Sequence, residues 1–393
     1  MTRPFAAALS QHPSVPVATG EVIGQVLEGL GDDGPPLGSG TQPGVPDLAL
    51  VFVTPVFAPH LEEIAATIRA ALQPRALLGC AAVSVVGGNQ EVERGPAISL
   101  WAGRTGPVTP FHLTVVRAPD GFAFTGWPDD LPEDPSALLL LPDPFSFPTD
   151  ELLKRLEVDR PGMPVVGGLA SAARQAGGNR LVIDDQVVNH GAVGAFLGPE
   201  VEVTTVVSQG CRPVGHPFVV TRAEDNIVYE LAGRSAVERL QEVAAALSDE
   251  DRELLADMVQ IGRVIDESKV DFGPGDFLVR PVVGADPNSG ALRVGDVVSV
   301  GSTAQFQIRD ATSADLDLRR MVGGQKAEAA LVFTCNGRGT HLFPQPNHDA
   351  EVVSESLPGA PVAGMFCAGE LGPIGDQNFM HGFTASIVLL SVP

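Results

Sequence analysis

Polar side chains able to hold a small charged molecule follow several glycine-containing strand ends of this sequence. Arginine offers a planar fork of donors that suits a carboxylate, and glycine lets a ligand approach the backbone closely. The segments that combine them are "FLVRPVVGAD", "AQFQIRDA", "CNGRG" and "PVAGMFCAGELGPIGDQNFMHGF". The candidate ligand-binding residues are Arg280, Asp286, Arg309, Asp310, Arg338, Glu370 and Asn378.

Two interpretations of these residues remain open from the sequence. If the loops meet around one cleft, arginine and aspartate would hold the two charged ends of an amino acid or a similar metabolite. Alternatively, Arg280 with Asp286, and Arg309 with the neighbouring Asp310, are ion pairs that only stabilise the fold.

Cysteine chemistry is the enzymatic alternative. The cysteines Cys80, Cys211, Cys335 and Cys367 are far apart and form no CxxC pair, so we expect free thiols. Cys80 and Cys367 adjoin glycine-rich loops, where a histidine such as His381 could activate one of them. A cysteine at a strand end is more often a small apolar core residue. We therefore assign no catalytic residue and expect a protein that is not an enzyme.

Metal and nucleotide motifs do not emerge from the spacing. Cys335, His341 and His348 surround a glycine turn but lack the spacing of zinc ligands. "GGLASAA" lacks the second glycine of a nucleophile elbow, and the sequence contains no Walker A motif. We expect neither a metal nor a cofactor.

Charge and hydropathy limit the partners. The 393 residues carry 48 acidic against 25 basic side chains, a formal net charge of −23, so nucleic acid and anionic membrane surfaces would be repelled. No apolar run approaches the roughly 18 to 20 residues of a membrane-spanning helix, and Pro and His interrupt the N-terminal segment before a secretory signal forms. We expect a cytoplasmic protein.

A repeated strand, helix and strand pattern predicts an α/β fold. "DLALVFVT" is followed by the helical "APHLEEIAATIRAALQ" and the strand "RALLGCAAVSVVGG", and similar units start at "SALLLLPDPF" and "AALVFTCNGRG". Glycines mark the second strands at Gly79, Gly167, Gly364 and, less clearly, Gly284. The separations 284 − 79 = 205 and 364 − 167 = 197 are similar. They favour an internal duplication into two related lobes of mixed β-sheet flanked by helices.

The chain resembles the FIST family (F-box and intracellular signal transduction). The resemblance rests on "GCRPVGHPFVVTRAEDNIVYELAGRSAVERL", "CNGRG" and "GMFCAGELGPIGDQNFMHGFT". Before the resembling region, residues 31–47 concentrate Gly, Pro and Asp after an Ala-rich helical start, so we expect an N-terminal helix and linker at 1–47 and folded structure from near Leu48. A FIST N-terminal-like domain is then expected at 48–210 and a FIST C-terminal-like domain at 211–393.

This resemblance implies a sensory module. Such a module would bind a small ligand, with amino acids among the candidates, carry no enzyme activity and act through a separate signalling partner protein. Gly369, Glu370 and Asn378 match the family pattern, whereas "GCAAVS" lacks the hydroxyl that the family often has directly after the cysteine. A structural interaction scaffold remains the third functional class.

Overall fold

Short apolar segments bounded by glycine, proline and aspartate form most of the strands. The computed structural model describes residues 3–31, 45–118, 121–273 and 275–393. Its strands are β1 (Phe5–Ser10), β2 (Leu48–Val53), β3 (Ala76–Ala81), β4 (Val85–Gly87), β5 (Gln90–Val92), β6 (Ile98–Gly103), β7 (Val108–Ala118), β8 (Gly121–Thr125), β9 (Ala137–Pro142), β10 (Val165–Gly168), β11 (Leu181–Ile183), β12 (Gln186–Val188), β13 (Ala192–Leu197), β14 (Glu202–Gln209), β15 (Cys211–Pro213), β16 (Phe218–Glu224), β17 (Ile227–Leu231), β18 (Arg234–Ser235), β19 (Gln260–Val264), β20 (Phe277–Asp286), β21 (Ala291–Val294), β22 (Thr303–Arg309), β23 (Ala329–Cys335), β24 (Val362–Cys367), β25 (Glu370–Ile374), β26 (Gln377–His381) and β27 (Thr384–Ser391).

Helices of moderate length connect many of these strands. They are α1 (Val15–Leu30), α2 (Leu61–Leu72), α3 (Thr149–Asp159), α4 (Ala236–Ala246), α5 (Asp249–Asp257), α6 (Ala311–Val322) and α7 (His348–Ser356), with short 3-10 helices at Ala58–His60 and Gly339–His341. Several mixed sheets with helices between their strands confirm the predicted α/β class.

The chain divides into two compact units. Unit 1 contains residues 1–207, 319–380 and 384–393, and unit 2 contains residues 208–318 and 381–383. Unit 2 is therefore an insertion into the sequence of unit 1, whereas the sequence analysis expected two consecutive parts.

Unit 1 contains the predicted strand, helix and strand pattern three times within its described residues. In each case two parallel strands pair and a helix connects them: β2, α2 and β3; β9, α3 and β10; β23, α7 and β24. The α2 helix illustrates the packing, because Leu61, Ile64, Ile68 and Leu72 recur at helical spacing and are all buried. We call these the first, second and third repeats.

The three clear marker glycines occupy one equivalent position. Gly79, Gly167 and Gly364 each lie on the second parallel strand, directly opposite a residue of the first. A Cβ atom there would lie 2.0, 2.1 and 1.9 Å from the carbonyl oxygen opposite, so only glycine fits. Gly284 lies instead on β20 of unit 2, where a Cβ would come no closer than 3.9 Å to a neighbour. The glycines therefore mark a threefold repeat within unit 1, rather than two copies in each half.

The hairpin that follows each repeat completes the sheet of another repeat. The β4–β5 hairpin follows β3 but pairs with β24, the β11–β12 hairpin follows β10 but pairs with β3, and β25 follows β24 but pairs with β10. The resulting sheets have the strand orders β1-β6-β2-β3-β11-β12, β26-β25-β10-β9-β13-β7-β8 and β14-β27-β23-β24-β4-β5. We call them the first, second and third sheets.

One large apolar core forms where the three sheets of unit 1 meet. Phe52, Leu141 and Phe333 are equivalent residues of the three repeats, and all three are fully buried in this core. The rings of Phe52 and Phe333 meet edge to face with centroids 6.1 Å apart. The ends of the parallel strands consequently lie around the same core.

The N-terminal segment belongs to this folded unit. β1 pairs antiparallel with β6 along its whole length, and α1 buries Val22, Val26 and Leu30 against the first sheet. The folded structure thus begins well before Leu48, the start that the sequence analysis expected. Residues 32–44 of the predicted linker lie outside the described residues.

Unit 2 is built around an antiparallel sheet that closes on itself. The order β22-β16-β17-β21-β20-β19 is closed because β19 also pairs with β22. Phe218, Val220, Leu292, Phe306 and Ile308 fill its apolar core. It therefore contains a small barrel, and its described residues include no fourth copy of the repeat of unit 1.

Candidate functional site

The four predicted site residues of unit 2 have local partners of their own. Arg280 Nε donates to Asp296 Oδ2 at 3.0 Å, so its partner is not Asp286. Asp286 is exposed and accepts from Asn288 N at 2.9 Å and from Ser289 Oγ at 2.7 Å, as an aspartate in a turn does.

Arg309 and Asp310 are likewise held separately. The Arg309 guanidinium lies 5.1 Å from the centre of the Phe383 ring. Asp310 Oδ1 accepts from Thr312 N at 3.0 Å at the start of α6, and Asp310 Oδ2 accepts from Arg212 Nε at 3.0 Å. The ion-pair interpretation was right in kind for Arg280 and Asp310, but both pair with residues other than those expected.

Asn378 has a structural role in unit 1. Its Oδ1 accepts from Val165 N at 2.7 Å and its Nδ2 donates to Met163 O at 2.8 Å. Both side-chain groups of Asn378 therefore stabilise the start of β10. Neither hydrogen bond involves Arg338 or Glu370.

Arg338 and Glu370 lie in a buried polar cluster of unit 1. Arg338 follows β23 and is fully buried; its Nε and Nη2 donate to Asp349 Oδ2 and Oδ1 at 2.7 and 2.8 Å. Thr334 Oγ1 and His348 Nδ1 also donate to Asp349, at 2.5 and 2.9 Å. The remaining nitrogen, Arg338 Nη1, has no hydrogen-bond partner among the described residues.

Glu91 reaches this cluster from the exchanged β4–β5 hairpin. Its Oε1 accepts from Ala350 N at 3.0 Å at the start of α7, while its Oε2 is buried without a partner in the described part of the chain. Burial, followed by the negative charge of Asp349, raises the pKa of Glu91 to about 8. This carboxyl group is therefore mostly protonated at neutral pH.

Glu370 occupies a position that is apolar in the other two repeats. It pairs with Gly168, and the residues in register with it in the other two exchanged hairpins are Val85 and Leu181. Its Oε2 accepts from the backbone and hydroxyl of Thr384 at 3.2 and 2.8 Å, but within the described residues its Oε1 has no partner.

The electrostatics of the cluster follow from its burial. Burial raises the pKa of Glu370 to about 8, against the weaker opposing effects of hydrogen bonds from Thr384 and Cys335 and of the Arg338 charge. Burial alone would also raise the pKa of Asp349. The charge and hydrogen bonds of Arg338, together with the hydrogen bonds from His348 and Thr334, instead hold that pKa well below its usual range. At neutral pH the cluster thus contains one ion pair and two protonated carboxyl groups.

A short loop covers Arg338. Gly339 adopts a positive φ of 58°, and Thr340 N and Oγ1 donate to the two carboxylate oxygens of Glu93 at 2.9 and 2.7 Å. Next to them, the Phe343 and His348 rings stack with centroids 3.4 Å apart. The Phe343 ring centre lies 5.2 Å from the Arg338 guanidinium carbon, so this segment packs against the buried guanidinium.

Two of the cysteines, Cys80 and Cys367, lie in surroundings that disfavour the thiolate. Burial raises the pKa of the Cys80 and Cys367 thiols well above the ordinary value, and Cys80 Sγ lies 3.1 Å from Met365 Sδ in the core. A nucleophilic cysteine needs an accessible thiolate, which this environment disfavours. Among the described residues there is also no group of three or more His, Cys, Asp or Glu side chains that could hold a metal ion.

Sequence reasoning missed Glu91 and Asp349. Glu91 lies on the three-residue strand β5, which pairs with its neighbour β4, but its carboxyl group accepts from Ala350 N, 259 positions away, so no local pattern indicates its burial. Asp349 did leave a signal: it shares a helical stripe with Val352 and Val353, both buried, and a carboxylate on an apolar stripe indicates a buried partner.

The fold and this site define an α/β protein with a repeated sheet unit, an inserted barrel and an internal polar cluster. The FIST N domain model matches residues 47–234 and the FIST C domain model matches residues 236–373, so the chain belongs to the FIST family. FIST domains are associated with signal transduction. The two models meet near residue 235, within unit 2.

Mycobacterial relatives match over most of the chain. The uncharacterized protein Rv0628c of Mycobacterium tuberculosis (strain H37Rv) is 43% identical over 352 residues, covering 88% of this chain and 91% of the relative. The uncharacterized protein Mb0898c of Mycobacterium bovis is 41% identical, covering 88% and 90%. In the part of the chain that the structure describes, no helix has the length and apolar character needed to span a bilayer.

Proposed function

We propose that this protein binds a small polar ligand in the Arg338 cluster as part of a signal transduction system, without catalysing a reaction. The observation that carries the proposal is the group of three buried atoms without partners among the described residues, Arg338 Nη1, Glu91 Oε2 and Glu370 Oε1. Each unsatisfied buried polar group costs about 1–3 kcal/mol, so a ligand that satisfies them gains affinity.

Comparison between the repeats supports a role beyond folding. The residues in register with Glu370 are Val85 and Leu181, and both are completely buried in the same core. The fold therefore accommodates an aliphatic side chain at this position, and a buried carboxyl group is not needed to build it.

The chemistry of the cluster favours a ligand rich in acceptor oxygens. Arg338 Nη1 is a donor, and each protonated carboxyl group offers one further O–H donor at neutral pH. A small carboxylate such as an amino acid satisfies this requirement. Because Arg338 is fully buried and Phe343 packs against it, the proposed ligand is small and its binding displaces the loop at 339–343.

The signalling output requires a separate partner protein in this proposal. Binding that moves the loop at 339–343 would change the surface offered to that partner. The raised thiol pKa values of Cys80 and Cys367 favour this non-enzymatic function over cysteine-dependent catalysis.

The test is a thermal-shift screen of the purified protein against amino acids, small carboxylates and nucleotides, with the Glu370→Val variant in parallel. Saturation at about 100 times Kd stabilises the folded state by about 2.7 kcal/mol, which raises Tm by a few degrees. Glu370→Val copies the residue of the first exchanged hairpin, so we expect it to fold and to lose the shift.

Asn378→Ala is the matched control, because Asn378 holds β10 outside the cluster. We expect this variant to lower Tm while keeping the ligand-induced shift. A shift that survives Glu370→Val and Glu91→Val would place the ligand elsewhere, and no shift across the panel would favour an interaction scaffold. A pull-down with and without the ligand then tests the partner.

A further inference from the structure

A second candidate binding site lies between β8 and α3 in unit 1 and shares no residue with the Arg338 cluster. A cavity of about 760 Å³ opens there, within the roughly 300–1,000 Å³ typical of small-molecule sites. Phe122 and Leu131 line it and are 40% and 43% exposed, so the wall of the cavity includes large apolar side chains that solvent reaches. The cavity thus presents apolar surface that a ligand could cover.

One wall of the cavity is a rigid aromatic group. Trp127 packs against Phe111 and Phe196 with ring centroids 5.5 and 6.1 Å apart, and Phe196 is itself buried in the core of the second sheet. Aromatic side chains held in this way supply contact area with little loss of conformational freedom on binding.

The charged side chains that line the cavity include one more cation than anions. Lys154 pairs with Glu151 at 2.8 Å, and Arg155 pairs with Asp159 at 2.6 Å. Arg160 donates from Nη1 to the Pro132 carbonyl oxygen at 2.7 Å and lies 5.5 Å from the centre of the Phe196 ring, without a carboxylate partner in the described ranges. An arginine without an acidic partner beside an aromatic wall offers a planar fork of donors that suits a carboxylate.

We propose that this cavity binds an amphiphilic carboxylate, with its apolar part against Trp127, Phe122 and Leu131 and its carboxylate on Arg160. The proposal concerns a second site and does not depend on ligand binding at Arg338. It follows from the combination of exposed apolar walls, a volume suited to a small molecule and one cation without an acidic partner.

The experiment is a fluorescence titration of the full chain with octanoate and with octan-1-ol, which has the same chain length but no charge. The protein has two tryptophans; Trp101 is fully buried, so Trp127 reports on the cavity. We expect octanoate to change the Trp127 emission and to bind more tightly than octan-1-ol. Arg160→Gln should weaken octanoate binding by about tenfold, leaving octan-1-ol unaffected.

Four further variants make the result decisive. Arg174→Gln makes the same charge change at an exposed position outside the cavity, and Arg160→Lys keeps the charge; both should retain the preference for octanoate. Trp127→Phe should abolish the emission change while calorimetry still detects binding. Equal losses in Arg160→Gln and Arg174→Gln, or no binding of either probe, would overturn the proposal. Glu370→Val should leave octanoate binding intact, which separates this site from the Arg338 cluster.

Discussion

At the scale of single residues, the three repeats act as an internal comparison. Equivalent backbone positions in the three exchanged hairpins are occupied by Val85, Leu181 and Glu370. These residues therefore differ in their side-chain chemistry and not in their place in the sheet. A charged carboxylate in such a core would lose its hydration, and the carboxyl group takes up a proton instead. Glu370 is therefore a neutral donor at neutral pH.

This protonation makes stability depend on pH. The folded-state pKa of Glu370, about 8, lies above the ordinary value of 4.5, so the folded state binds more protons between these values. Stability from this group is fully present below pH 4.5 and is lost as the pH rises through about 8. Glutamine stays neutral at every pH. We therefore expect Glu370→Gln to make the decrease in the free energy of unfolding with rising pH smaller by a few kcal/mol.

Urea unfolding between pH 5 and pH 9 measures the effect. Glu253→Gln, at an exposed position of α5, is the control and should follow the wild-type curve. A Glu370→Gln curve parallel to the wild type would mean that Glu370 is ionised in the folded protein.

Local sequence signals identified only part of the polar cluster. Arg338 and Glu370 were predicted because each adjoins a glycine at a strand end. The same signal also selected Arg280 and Asp286, whose partners Asp296 and Ser289 satisfy them locally. A glycine neighbour indicates a turn or a close approach, but whether a charge there has a partner depends on contacts that the spacing does not encode.

At the scale of elements, the marker glycines set how closely the parallel strands approach. Gly79, Gly167 and Gly364 leave no room for a Cβ beside the opposite carbonyl, whereas Gly284 on β20 has open space. The sequence analysis counted Gly284 as a weaker fourth example of the same marker. The structure separates them by what faces each one.

The prediction at this scale compares two alanine substitutions. In Gly364→Ala the new Cβ would lie 1.9 Å from the Val332 carbonyl oxygen, so β23 and β24 must separate, at a cost of about 3 kcal/mol or more. Gly284→Ala should change the free energy of unfolding by less than about 1 kcal/mol. Urea denaturation of both variants measures the difference, and equal effects would contradict the threefold assignment.

The sequence predicted a strand or a helix well where the hydrophobic pattern lies entirely within that one element. The continuous apolar run of β2 and the stripe of α2 were both predicted from periodicity, and both are buried as expected. The hairpin exchange was not predicted, because β4 and β24 are distant in the chain and their pairing depends on the whole fold. The N-terminal strand was missed because "FAAALS" is rich in alanine, which favours a helix.

At the scale of the whole molecule, the exchanged hairpins should make unit 1 unfold cooperatively. Leu371 follows the third repeat in sequence but is buried in the core of the second sheet. We expect Leu371→Ala to cost about 2–5 kcal/mol and to lower the unfolding midpoint reported by Trp101, which lies in the first sheet. The measurement is Trp101 emission in a Trp127→Phe background.

Val283→Ala is the control for this prediction, since Val283 is 58% exposed on β20 of unit 2. It should leave the Trp101 midpoint unchanged. If Leu371→Ala also left that midpoint unchanged while reducing the circular dichroism signal, the repeats would unfold independently.

The exchange of hairpins also determines when the protein can fold during its synthesis. The second sheet contains β9 and β10 but needs β25, and the third sheet needs β27, which ends at Ser391. A ribosome that has made the first two repeats has therefore released open sheet edges without their final strands. Folding of unit 1 must therefore wait until β25 and β27 have emerged from the ribosome.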